Sequence, residues 1–246
     1  MTSDSAEDRV TATAKEFVKQ FPIKDFYEDG LSPSVKEVGG ALADITKTLR
    51  LVLAPIQFTG LLQDRFRDFL ETSITRVPRE DRVPPPAQVL GPVLEGIRYE
   101  PEGTPIDQMF SELLSRSMDE KRANEAHPSY AHLIKQISAD EARILRLLSE
   151  VQYDFVYTSD FDQATRTFQG GTIEKDELPK ADLDFPENVS FYMDHLHSLG
   201  LAGIYQQGNQ EMIMAEGQQT GVRVRCKYLL SDLGQRFVTA CTSKSV

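Results

Sequence analysis

Residues 138–157 read SADEARILRLLSEVQYDFVY, and the change of pattern inside this stretch decides the fold. Ser138 followed three residues later by Glu141 forms a capping box, in which each side chain satisfies a backbone N–H that the first helical turn leaves unpaired. Ala142, Leu145 and Leu148 then recur at helical spacing. Beyond Val151 the helical period stops, and YDFVY, residues 153–157, has the aromatic and β-branched content of a strand. The chain is therefore expected to leave a helical region and enter a mixed α+β region here.

Working back from this point, the pattern predicts helices throughout. Pro33 after Ser32 sits at a first-turn position, and Val35, Val38, Leu42, Ile45, Leu49 and Val52 mark one face. Pro55 interrupts that face, and Phe58, Leu61, Leu62, Phe66, Phe69 and Leu70 trace another as far as about Ile74. The run VPREDRVPPP, residues 77–86, reads as a stiff, extended spacer. A short helix is expected over 87–97, and Thr104-Pro105 opens a further one with Ile106, Met109, Phe110, Leu113 and Leu114 inward.

Working forward, residues 159–186 are polar, contain Gly170-Gly171 and show no sustained period, so a long loop is expected. A helix over 187–199 closes at Gly200, strands follow at 202–205 and 222–230 around a Gly- and Gln-rich turn region, and Ser231 caps a last helix. The expected class is mainly α: an amphipathic helical bundle over 1–137, then an α+β domain over 138–246.

Composition narrows the function classes. The 246 residues carry a formal charge of −11 with a pI near 4.9, a field that repels phosphate, so nucleic-acid binding would need a local basic patch. Cys226 and Cys241 are the two cysteines, no CxxC spacing exists, and the start MTSDSAEDRV lacks the basic and apolar pattern of a secretory signal; free thiols in the cytoplasm are expected. The apolar stretch 39–62 is broken by Asp44, Lys47 and Arg50, too early for the roughly 20 apolar residues of a spanning helix, although its stripe would also suit a helix lying on a membrane.

Four histidines, His127, His132, His195 and His197, fit no zinc spacing, and no nucleophile elbow or phosphate-binding loop is present; no metal and no cofactor is expected. The sharpest catalytic idea is Arg122 with His127 in RANEAH, an Arg-x4-His spacing used by some RNases, where the imidazole moves a proton and the guanidinium steadies phosphate. Against it, the same spacing arises easily at a helix end. Arg223, Arg225 and Lys227 alternate on a predicted strand and so share a face that could touch phosphates, or that is simply solvated.

Four segments carry a resemblance to a known family. GPVLEGIRY (91–99), MFSELLSRSMD (109–119) and AHPSYAHLIKQISADEARIL (126–145) resemble the central block of the Abi-alpha family, and PSVKEVGGALADITKTLRLVLAPI (33–56) is similar to its opening helices. The resemblance covers roughly 32–148. It implies a bacterial protein of abortive infection, an antiviral defence against phage, and supplies no catalytic residues. Separately, the element order after Ser138, closing on YLLSDLGQRFV (228–238), is similar to a winged-helix module, from which the insertion at 159–186 departs. The expected function is a non-enzymatic protein-binding component, engaging a partner protein or a second copy. The alternatives are a toxic RNase using Arg122 and His127, or a membrane-associating effector acting through 39–62.

Overall fold

The computed structural model describes residues 60–243. These divide into two compact units, one of residues 60–136 with 239–243 and the other of residues 137–238. The expected helix over 32–52 and most of the apolar stretch 39–62 lie outside the described residues.

The first unit is helical. Helix α1 (Gly60–Thr75) buries Phe66 and Phe69, α2 (Ala87–Ile97) buries Val89, Val93, Leu94 and Ile97, and α3 (Pro105–Ser117) is enclosed along its length. Thr104 caps α3 by accepting from the Asp107 N–H at 3.1 Å. Gly96 makes room for it, since a Cβ there would meet Phe110 Cζ at 2.3 Å. The enclosed polar groups of α3 find partners: Ser111 lies 2.9 Å from Ser73 Oγ, and Glu112 receives Arg76 at 3.0 Å and Arg116 at 3.3 Å. The proline-rich connector is laid against the end of α3, with the Val83 N–H donating to Met118 O at 2.8 Å and the Glu120 N–H to Asp81 O at 2.9 Å. Helix α4 (Ser129–Ile134) completes the unit, burying Tyr130, Ala131 and Ile134.

In the second unit the capping box at Ser138 and Glu141 starts α5 (Ala139–Glu150), which buries Ala142, Ile144, Leu145 and Leu148. From here the structure corrects the expectation. The described residues are not mainly α: besides seven α-helices, they contain a five-stranded antiparallel sheet. The predicted loop over 159–186 is largely strand. Strand β1 (Tyr153–Asp162) turns into β2 (Thr167–Asp176), a long hairpin where a winged-helix module would pass from helix to helix. The Gln-rich turn region likewise contains a strand: after α6 (Val189–Ser198) come β3 (Ala202–Gln206), β4 (Glu211–Ala215), β5 (Gln218–Leu230) and α7 (Asp232–Cys241).

The long β5 organises the sheet. One edge pairs with β1 from Tyr153↔Tyr228 to Asp160↔Gly221; the other pairs first with β3 and then, nearer its start, with β4. Strand alternation divides the faces. Val222, Val224 and Cys226 form a buried cluster with Phe155 and Tyr157, and Arg223, Arg225 and Lys227 point the other way. The hairpin ends extend this apolar face into solvent, where Met212 is 71 % and Ile173 59 % exposed. The β1–β2 pairing shifts register between Val156 and Tyr157 of β1 and again between Thr158 and Asp160, the extra residues falling on β2. The first bulge sets Glu174 and Lys175 on the same side, so that consecutive residues reach Arg223 and Asp154. Both cysteines are free and buried.

Candidate functional site

The structure places the sequence candidates as follows. Arg223 is held by Glu174 through two parallel bonds, 2.8 and 2.9 Å, which raise its guanidinium further above its ordinary range and lower the Glu174 carboxyl. Arg225 pairs with Glu211 at 2.9 Å, and Lys227 lies 4.0 Å from Asp154, which Lys175 contacts at 2.7 Å. The basic strand face is thus interleaved with Glu174, Glu177, Glu211 and Asp154 and carries no clear surplus of positive charge for phosphate.

Arg122 donates from Nε to Asp119 at 2.7 Å, while His127 is exposed and its Nδ1 accepts the Ser129 N–H at 3.2 Å, capping the turn into α4. Each therefore has a local partner, three and two residues away. Among the described residues no group of three or more His, Cys, Asp or Glu is placed to hold a metal ion, and no helix is long and apolar enough to cross a membrane.

A more constructed arrangement lies where α5 meets α6. The first turn of α5 carries two buried carboxylates, Asp140 and Glu141, with side chains 3 % exposed. Helix N-termini favour negative charge, which eases their burial. Asp140 accepts the Asp184 N–H at 2.8 Å, the Phe185 N–H at 2.9 Å, Arg143 Nη1 at 2.6 Å and the Tyr192 hydroxyl at 3.2 Å. Burial alone would push its carboxyl up; these four donors outweigh that and hold it below its ordinary value. Glu141 accepts the Ser138 N–H at 2.7 Å with one oxygen and lies 2.6 Å from His195 Nδ1 with the other.

The two carboxylates thereby fix the loop entering α6 and the helix itself. The inner face of α6 is Val189, Tyr192, Met193 and Leu196. Left outside are Phe191, 66 % exposed and stacked on the His195 ring at 6.1 Å, and Phe185, 57 % exposed, whose backbone is pinned to Asp140. His195 is 30 % exposed, and its Nε2 has no partner among the described residues. Two aromatic rings and an imidazole edge therefore stand on a hydrogen-bonded support. Such a platform suits docking, because large aromatic anchors lose little rotamer entropy when covered.

A family model described as abortive infection alpha matches residues 61–241. The chain belongs to the abortive infection alpha family. The match runs from the start of α1 to the last residue of α7, so it takes in residues of both units and the α5–α6 platform; it extends past the C-terminal end of the 32–148 span over which the sequence resemblance was read and does not include residues 32–60 of that span. Membership places this abortive infection alpha protein in abortive-infection defence. Neither the curated proteins nor the solved structures give a match.

Sequence reading missed the platform of this abortive infection alpha protein because its tie joins residues 54 apart in the chain. One signal was available. Phe191 falls off the i, i+3, i+4, i+7 stripe of its own helix, which leaves an aromatic ring with no place in the core.

Proposed function

We propose that this abortive infection protein acts by binding another protein and that the Phe185–Phe191 platform is its contact surface. The observation that carries this reading is the pair of exposed phenylalanines held on a loop and helix whose backbone and side chains converge on buried Asp140. Exposed apolar side chains are common singly, but two phenylalanines anchored on one hydrogen-bonded support beside an imidazole resemble the composition of an interface centre. The platform avoids the usual cost of ordering a loop on association.

Phe191→Asp is expected to abolish most phage protection, measured as efficiency of plating on cells carrying the protein, while the melting temperature stays within about 2 °C because a surface substitution perturbs stability by only about 0.5 kcal/mol. Full protection by a folded Phe191→Asp protein would refute the platform.

The nuclease reading through Arg122 and His127 is the second reading, and it makes the opposite prediction at a different place. His127→Ala removes the acceptor for the Ser129 N–H in an exposed turn, so about 0.5–1 kcal/mol of stability is expected to go, with protection retained. Loss of protection in folded His127→Ala protein, with RNA cleavage by the parent protein, would replace binding by catalysis. The membrane reading rests on residues 39–62, nearly all outside the described part of the chain.

A further inference from the structure

We infer that the platform takes a basic segment of its partner, an inference that rests on the binding reading above. The segment that carries the two phenylalanines has acidic side chains and no basic ones. Asp182, Asp184, Glu187 and Asp194 are all exposed, and no Lys or Arg occurs between Lys180 and Arg223. Asp184 is engaged by Arg143 at 2.7 Å, which also serves Asp140; Asp182, Glu187 and Asp194 have no ion pair among the described residues.

Each feature selects the same chemistry. The acidic rim repels nucleic acid, anionic lipid and acidic proteins and steers a cationic segment in. The exposed face of Phe191 can accept an arginine or lysine head group. Phe185 supplies apolar area for the aliphatic stem of such a side chain or a neighbouring apolar residue. A second copy is a poor occupant, because a two-fold contact brings the same patch against itself and would set acid against acid.

The test uses the intact protein and a random-peptide display library, with selected peptides counter-screened on the Phe191→Asp protein. The inference expects Phe191-dependent peptides enriched in Lys and Arg, at least tenfold weaker on a Glu187→Lys/Asp194→Lys double variant, and weakened by raising salt from 0.05 to 0.5 M, where exposed charge attraction is screened. Phe191-dependent peptides without basic enrichment, or indifferent to the charge reversal, overturn the basic partner and leave the binding platform standing. A selection that returns no Phe191-dependent peptide overturns both.

Discussion

Asp140→Ala is expected to destabilise the second unit by about 3–5 kcal/mol, the range seen when one member of a buried, hydrogen-bonded charge network is removed. The substitution leaves the N–H groups of Asp184 and Phe185 without an acceptor, frees the Tyr192 hydroxyl, and strips Arg143 of one of its two carboxylates. Because the folded carboxyl lies below its ordinary value, its stabilisation is present above the ordinary carboxylate range near pH 4 and is lost as pH falls through the still lower folded value. The gap between the parent and the Asp140→Ala protein should therefore be widest at neutral pH and close only in acid. Urea denaturation followed by circular dichroism at pH 7 and pH 3 measures both. A loss below about 1 kcal/mol at pH 7 would mean that the loop into α6 is held by something other than this carboxylate, and the rigidity claimed for Phe185 would go with it.

Gly234→Ala sets two effects against each other. Alanine is favoured over glycine inside a helix by about 1 kcal/mol, so at an open position in α7 it would stabilise. Here a Cβ would fall 1.8 Å from the carbonyl oxygen of Leu201. That oxygen cannot withdraw cheaply: it accepts the Ser231 N–H at 2.9 Å, and Leu201 is itself fully buried. The clash wins, and a net loss of about 3 kcal/mol or more is expected, the upper end of over-packing costs. Calorimetry of the purified variant is decisive, since a melting temperature equal to or above the parent's would show that α7 can lift from Leu201 without cost.

Much of the helical architecture was legible because helix ends are local chemistry. Thr104, the Ser138–Glu141 box and Gly200, whose φ is 69°, act where the sequence puts them, and Ser231 accepts the Gly234 N–H at 2.9 Å. The inward faces of α3 and α5 follow their apolar spacing. The strands that were missed lacked the signal on which strand reading depends. Strand β2 is exposed on nearly every residue, so no face alternates, and two bulges break its period. Strand β4 hides among glutamines and glycines, its Met212 and Met214 facing solvent. The same gap concealed the ionic partners of Arg223 and Arg225: Glu174 and Glu211 belong to those two strands, so the basic face looked less compensated from β5 alone. As for the platform, each of its buried carboxylates takes partners more than forty residues downstream, a convergence that local periodicity does not encode.

The interruptions in β2 also bear on how this chain behaves at high concentration. Among the described residues no strand pairs with its outer edge, and a straight, flat edge of ten residues would be a template for strands from neighbouring molecules. The two register breaks, with Gly170 and Gly171 at φ of 58° and 124°, put kinks where an incoming strand would need continuity. Lys175 adds a charge at the same edge that would have to be stripped of water in any stacked assembly. The long exposed hairpin thereby presents a broken edge rather than a straight one to neighbouring molecules.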